Sequence, residues 1–335
     1  METRTLGKTG IQVSVHCLGA MMFGLWGNRD HDDSIRIIHK ALDGGINFVD
    51  TADVYSQGES EEIVGKALKD RRDDVVLATK VHGLMGKGEN RQGNSRRWIR
   101  YEVEQSLRRL GTDYIDLYQI HRPDPSVEVE ETLSVLTDLL HEGKVRAIGS
   151  STFPAEEIVE AQWVAEKRGT HRFLSEQPMY SILGRVPERA VFPVAQQYRM
   201  GVLTYSPLHG GWLSGRPPGS GQRAQGRAEL YDPESEAGRR RVAALTALEA
   251  IAKAAGLTMP QLAIAFVTSH PAVTSVIIGP RTREQLDGLL TAADIELNDD
   301  VLDRIDDIVA PGTELNDDSY HATPPALAHK ALRRR

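Results

Sequence analysis

The segment Gly45-Ile-Asn-Phe-Val-Asp-Thr-Ala-Asp-Val-Tyr55 carries a mostly apolar run, Ile46–Val49, straight into a carboxylate, Asp50, and then into a phenol, Tyr55. Such a run, rich in β-formers and lacking strict alternation, suits a strand of a parallel sheet buried on both faces. Two later runs have the same layout: Val75–Ala78 leads to Lys80, and Ile115–Gln119 leads to His121. In a barrel of parallel strands the C-terminal strand ends converge on one face, where loops build active sites. An acid, a phenol, an amine and an imidazole would then share one mouth.

Outward from that segment the chain alternates strand and helix. His16–Gly19 leads to a helix at Asp32–Asp43, whose Ile35, Ile38, Ala41 and Leu42 fall on one face. Ile46–Asp50 leads to Ser60–Leu68, Val75–Lys80 to Asn94–Leu110, Ile115–Gln119 to Val127–His141, and Val145–Gly149 to Pro154–Arg168. Phe173–Gln177 leads to Glu188–Arg199, and Val202–Tyr205 opens an irregular stretch. Gly111, Gly143, Gly169 and Gly201 follow helices, where a left-handed stop is expected. Further on come helices at Arg239–Ala255, Met259–Ser269, Arg283–Ala293 and Asp299–Val309, with an eighth strand at Val273–Ile278. Ahead of the barrel, Arg4–Leu6 and Gln12–His16 flank the turn-like Gly7-Lys8-Thr9-Gly10, a β-hairpin placed to plug one end. The fold expected is an α/β (β/α)8 TIM barrel with an N-terminal β-hairpin, two additional helices and a C-terminal tail. Residues 1–335 read as a single domain, with a long loop at 206–238 and a tail at 311–335.

The totals agree with that architecture. A chain of 335 residues, 40% hydrophobic, can bury the core of one such barrel. Its net charge of −7 argues against nucleic-acid binding. The single cysteine, Cys17, excludes an internal disulfide framework and sits in an apolar run. No apolar stretch follows a basic start, and no run of about 18 apolar residues occurs, so no membrane is expected and the cytoplasm is the expected location. The remaining histidines show no metal-ligand spacing, and no metal is expected. No Gly-x-Gly-x-x-Gly follows a first strand, which disfavours a separate dinucleotide-binding domain.

The chemistry open to Asp50, Tyr55, Lys80 and His121 is proton delivery. An unpaired carboxylate at a buried strand end is costly, and Lys80 is the natural partner of Asp50. The ammonium beside Tyr55 is expected to lower the phenol's pKa and make it a better acid, and His121 is placed to hydrogen-bond the hydroxyl or to orient a carbonyl oxygen. No side chain supplies a hydride, whereas a nicotinamide cofactor does. Taken without Tyr55 and His121, the Asp50–Lys80 pair also reads as a structural ion pair capping the barrel.

The chain resembles the aldo-keto reductase family over essentially its whole length. The resemblance is carried by Gly45–Tyr55, Leu77-Ala-Thr-Lys80, Tyr118-Gln-Ile-His-Arg-Pro-Asp124, Ala147-Ile-Gly-Ser-Ser-Thr-Phe153, Glu176-Gln-Pro-Met-Tyr-Ser181, Leu203-Thr-Tyr-Ser-Pro-Leu208 and Val276-Ile-Ile-Gly-Pro-Arg281. It implies Tyr55 as general acid, with Asp50, Lys80 and His121 completing a tetrad. It implies that Ser151 and Gln177 hold a nicotinamide carboxamide and that the Tyr205 ring stacks on the nicotinamide. Ser206 and Leu208 join that cofactor set, and Gly279, Arg281 and Gln285 meet the adenosine end, with Arg281 suited to a 2′-phosphate and hence to NADPH. Thr152 stands where the family usually has Asn, and Leu289 where an Asn often contacts adenine. Phe23, Trp26, Met85, Trp98 and Trp212, on or beside loops after strands, are the candidates for the substrate pocket. The activity implied is reduction of a small carbonyl substrate, an aldehyde or ketone, to an alcohol. The other readings are a cofactor-sensing subunit of a larger assembly, and a Schiff-base aldolase built on Lys80. A homo-oligomer is compatible with all three.

Overall fold

Strand pairing in the computed structural model, which describes residues 1–217 and 232–315, closes one sheet on itself. Strands β1 (Thr3–Thr5) and β2 (Gln12–Ser14) form an antiparallel pair ahead of it. The barrel consists of β3 (His16–Gly19), β4 (Phe48–Asp50), β5 (Val76–Val81), β6 (Ile115–Ile120), β7 (Val145–Ser151), β8 (Ser175–Gln177), β9 (Gly201–Thr204) and β10 (Ser275–Ile278). All adjacent pairs are parallel, and β10 pairs with both β9 and β3 to close the ring. This is the (β/α)8 barrel with its N-terminal hairpin.

The helices are α1 (His31–Asp43), α2 (Glu59–Leu68), α3 (Arg96–Leu110), α4 (Val129–His141), α5 (Ala155–Arg168), α6 (Val191–Gln197), α7 (Glu236–Ala254), α8 (Met259–Ser269), α9 (Arg283–Leu290) and α10 (Asp299–Ile308). Side-chain caps set several starts: Asp30 for α1, Ser95 for α3, Thr258 with Gln261 in a capping box for α8, and Asn298 for α10. Gly111 and Gly169 end α3 and α5 in the left-handed conformation.

Two features differ from the sequence expectation. The helix expected at Glu188–Arg199 is a 3₁₀ turn, Val186–Arg189, followed by the shorter α6, with Ala190 (φ −147°, ψ −43°) breaking the helix between them. Gly201 is not a helix stop but the first residue of β9, where a Cβ would sit 2.5 Å from Leu6 Cδ1; Arg199 takes the left-handed conformation instead. Helix α7 also begins earlier than expected, because Ser235 caps it by accepting from the Gly238 amide. Of the expected loop 206–238 and tail 311–335, residues 218–231 and 316–335 lie outside the described residues.

The core has two parts. Inside the barrel, Cys17, Phe48, Ala78, Leu117, Ala147, Leu203 and Ile277 pack together with Leu6 and Val13 of the hairpin, so the hairpin does plug one end. Between barrel and helices lies a larger apolar shell. Along β4, β5 and β6 the inward-facing positions change from apolar (Phe48, Ala78, Leu117) to polar (Asp50, Lys80, Gln119) toward the C-terminal ends. That switch, with a period of two residues, turns a packed core into a site. Among the described residues no single helix is long and apolar enough to cross a membrane.

Candidate active site

Lys80 is fully buried at the centre of the polar layer. Its ammonium donates to Asp50 Oδ1 at 2.5 Å, to the Thr51 carbonyl at 2.8 Å and to the Tyr55 hydroxyl oxygen at 3.3 Å. An ammonium has three protons, and all three are placed. Asp50 Oδ2 accepts in turn from Gln119 Nε2 at 3.1 Å and Gln177 Nε2 at 2.9 Å. The buried pair thus has its hydrogen bonds satisfied, the condition under which such a pair is tolerated. Gly149, opposite Gln119 on β7, leaves the necessary room: a Cβ there would lie 2.2 Å from Ser175 Oγ and 3.4 Å from Gln119 Cγ.

The electrostatics of this layer follow from burial and pairing. Burial works against the charge on Lys80, but Asp50 and Tyr55 outweigh it and hold the ammonium above its ordinary pKa. That argues against a Schiff-base role, which needs a free amine. Burial raises the Tyr55 hydroxyl above the usual phenol value, and Lys80 opposes this without overcoming it. The expected lowering of the Tyr55 pKa is therefore corrected: in the protein without ligand, desolvation is the larger effect. Burial also pushes His121 well below 6.5, helped by the charges of Lys80, Arg122 and His82. It is a neutral imidazole, and its ring meets that of Tyr55 edge-on at 5.7 Å. Of the two roles expected of His121, a hydrogen bond to the hydroxyl or orientation of a carbonyl oxygen, the first is replaced here by this ring contact.

Tyr55 sits at the start of an unusual turn. Ser56 (φ 50°), Gln57 (φ 58°) and Gly58 (φ 96°) are three successive left-handed residues, two of them not glycine, before α2 begins. The turn is held from outside. Ser56 Oγ accepts from the Trp26 amide at 3.1 Å, and Glu59 accepts from the Leu25 amide at 2.7 Å and contacts His31 Nε2 at 2.7 Å. The loop bearing Trp26 is thereby fastened to the turn bearing Tyr55, with their rings 6.1 Å apart.

Behind that turn lies a second buried polar assembly on the outer side of the barrel. Thr79 of β5 donates to Glu61 of α2 at 2.5 Å, while Arg109 of α3 bridges Glu61 at 2.6 Å and Glu102 at 2.5 Å. Asp53, fully buried, accepts from the Val54 amide at 2.6 Å through Oδ1. Its Oδ2, the Tyr118 hydroxyl and Trp98 Nε1 have no hydrogen-bond partner. Burial, reinforced by Glu61 and Glu102, drives the Asp53 carboxyl well above the usual carboxylate range.

A cavity of about 1110 Å³ opens at the mouth beside β9 and β10. It is lined by Ser206, Leu208, Gly279, Arg281, Gln285 and Leu289, all on the expected cofactor side. At Gly279 no atom lies within 4 Å of where a Cβ would stand, so the floor is open there. The Arg281 amide donates to Gln285 Oε1 at 2.8 Å, which fixes both beside the first turn of α9. Ser151, Thr152, Gln177 and Tyr205 stand at the neighbouring tips of β7, β8 and β9. Ser151 Oγ donates to the Gln177 carbonyl at 3.0 Å, and the buried Tyr205 hydroxyl has no partner. A large cavity lined by a guanidinium and glycine-bearing loops, next to the strand tips that carry Ser151, Gln177 and Tyr205, has the size and donor set to hold a nicotinamide dinucleotide. Thr152 has φ 61°, a left-handed conformation that Asn adopts readily and a β-branched residue only at a cost. Its hydroxyl accepts from Arg122 Nη1.

Of the residues expected to form a substrate pocket, only Trp26 lies open at the mouth, 41% exposed. Phe23, Met85, Trp98 and Trp212 are packed into the shell around the barrel, Trp98 stacked on Tyr101. Aromatic residues after strands attract a pocket reading, but their helical and loop neighbours here enclose them. Gln119 escaped the sequence reading because it ends an apolar run; the signal was its inward parity with His121. Arg122, on the next position, was read only as part of a motif.

Among the described residues no cluster of three or more His, Cys, Asp or Glu is placed to hold a metal. The barrel, its polar layer and the groove beside it define the class: an α/β-barrel with a buried acid–amine–phenol centre. The Aldo/keto reductase family matches residues 17–310, and the chain belongs to that family, whose chemistry is oxidoreduction at carbonyl groups. It is 38% identical over 328 residues to the uncharacterized oxidoreductase YrpG of Bacillus subtilis, covering 94% of this chain and 98% of that one. It is likewise 38% identical to the aldo-keto reductase YhdN of the same organism, over 86% of this chain and 88% of that one. A probable voltage-gated potassium channel subunit beta of Oryza sativa is 34% identical, over 92% of this chain and 97% of its own.

Proposed function

We propose that the protein is an NADPH-dependent carbonyl reductase that converts an aldehyde or ketone to an alcohol, with Tyr55 as the proton donor. The observation that carries this reading is the state of the Tyr55 oxygen. It accepts a hydrogen bond from the Lys80 ammonium, so its own O–H is turned away from the ammonium and free to be donated. A bound nicotinamide supplies the hydride. The protein's part is to hold a neutral phenol beside a fixed cation: as negative charge develops on the carbonyl oxygen, the phenol gives up its proton and Lys80 stabilises the phenolate left behind. Neutral His121 offers the carbonyl oxygen a hydrogen bond without competing for that proton. Ser151 and Gln177 orient the carboxamide, Thr152 through a shorter side chain than Asn, and Tyr205 presents its ring to the nicotinamide. Ser206 and Leu208 flank the groove, and Arg281 with Gln285 receives the adenosine end, which favours NADPH. The cytoplasm, where NADPH is plentiful, is its proposed location.

The test is Tyr55→Phe. NADPH oxidation with 4-nitrobenzaldehyde should fall at least ~100-fold, while NADPH still binds by fluorescence titration. Near-normal turnover in that variant would remove the assignment. The named β-subunit relative supports a second reading, a cofactor-sensing subunit. That reading expects NADPH to bind without being consumed across aldehydes, α-dicarbonyls and keto sugars.

A further inference from the structure

We propose that Arg122 selects the substrate: the reductase takes carbonyl compounds that carry an anionic group, a carboxylate above all, on an apolar or aromatic body. This rests on the reductase reading above and names the substrate class of that same site.

Arg122 follows His121 at the end of β6, and its guanidinium crosses to the tip of β7, where Nη1 donates to the Thr152 hydroxyl. The same Nη1 reaches the His121 carbonyl at 3.3 Å. It therefore stands between the proposed proton donor and the proposed carboxamide subsite. A guanidinium has five N–H donors in a planar fork. Both recorded hydrogen bonds use Nη1, to oxygens that carry no charge. Among the described residues no acidic oxygen lies within the 4.0 Å of an ion pair with it. This contrasts with its neighbour in the layer, since Lys80 is matched by Asp50. The nearby acid that feels Arg122, Glu176, is engaged by Ser150 Oγ at 2.5 Å and the Phe153 amide at 3.1 Å.

Exposed apolar side chains stand on the loops beside the tetrad. Trp26 packs near Tyr55, Leu25 precedes it, and Leu84 is tied to the turn through Gln57 Nε2 at 3.4 Å. Leu25 and Leu84 are 54% and 48% exposed. Exposed apolar side chains beside one half-buried guanidinium lacking an ion-pair partner fit a ligand with a hydrophobic body and a carboxylate, which the fork binds through two parallel charge-assisted hydrogen bonds. A neutral ligand leaves that charge unmatched as the mouth dries.

The experiment compares 4-carboxybenzaldehyde with its neutral analogue methyl 4-formylbenzoate, in the whole protein with NADPH. Wild type should favour the acid by at least about ten-fold in kcat/KM, mainly through KM. Arg122→Met should cost the acid at least about ten-fold more than the ester, and Arg122→Lys should recover part of the difference. Equal treatment of the two aldehydes by wild type overturns the proposal. So does an equal loss for both in Arg122→Met, which would mark Arg122 as a brace for Thr152 alone. If neither aldehyde is reduced, the reductase reading fails separately. Calorimetric binding of 4-(hydroxymethyl)benzoate against its methyl ester then decides on Arg122: tighter acid binding that Arg122→Met removes supports it, and equal binding refutes it.

Discussion

Two buried polar assemblies flank the same strands, and they handle charge in opposite ways. Inside the barrel, one carboxylate faces one ammonium, and amides from Gln119 and Gln177 fill the remaining acceptor positions. Outside it, two acids, Glu61 and Glu102, share a single guanidinium, Arg109, a third acid, Asp53, is buried beside them with no cation of its own, and three polar atoms nearby lack partners. Burial alone is therefore not what distinguishes a site. In the inner assembly the ammonium and both carboxylate oxygens are matched by hydrogen bonds, whereas in the outer one burial, reinforced by the charges of Glu61 and Glu102, raises the Asp53 carboxyl well above the usual range.

The sharpest way to break this comparison is Lys80→Met. It strands the Asp50 carboxylate, so stability should drop by about 3–5 kcal/mol and carbonyl reduction by roughly 10²–10⁴. Urea unfolding and NADPH oxidation read the two effects. A variant of unchanged stability would show that Asp50 is not charged by virtue of Lys80. Arg109→Met attacks the outer assembly and should cost about 3 kcal/mol near pH 7, the lower end because Arg109 is partly exposed. Burial, opposed by Arg109, holds the Glu102 carboxyl above its ordinary value, so the cost should shrink as pH falls and the acid takes up a proton. A cost that grows in acid contradicts this account.

Glu176 offers a graded case between the two. Burial lifts its pKa from 4.5 to about 7, against the hydrogen bonds from Ser150 and Phe153. The folded state then holds a proton that the unfolded chain has released, so this group's support is full below about 4.5 and is lost as pH rises through about 7. Glu176→Gln should stabilise the protein at pH 8 by up to about 3 kcal/mol, with the gain vanishing toward pH 4. Thermal melts across that range measure it, and a gain independent of pH would point to packing instead. The smallest effect is expected for Asp53→Asn, within about 1 kcal/mol at pH 7, because the raised carboxyl pKa favours the neutral acid that an amide resembles. The variant should gain on wild type as pH rises, since a raised carboxyl pKa withdraws stability in that direction. A large loss at pH 7 would mean that Asp53 is ionised.

Much of this was legible residue by residue. The strand ends bearing Asp50, Lys80 and His121 were visible because a polar residue after an apolar run is a local signal. Helix ends were visible where glycine or a capping side chain marks them, as at Gly111 and Thr258. Gly201 misled because a glycine after a helix looks the same whether it ends that helix or makes room for Leu6. Burial of the pocket candidates was hidden for a related reason: Phe23 and Trp98 follow strands as Trp26 does, and only their neighbours in space decide which is enclosed.

By itself the sequence determined the barrel, the order of its strands and the identity of the polar residues at their ends, because periodicity and termination are properties of neighbours along the chain. Only the tertiary structure decided which way the Tyr55 pKa moves, how far burial raises the Asp53 and Glu176 carboxyls, and that Arg122 has no ion-pair partner among the described residues. Those outcomes depend on how many charges and hydrogen-bond partners meet in one dry volume. Residues as far apart in the chain as Asp50 and Gln177 settle that count.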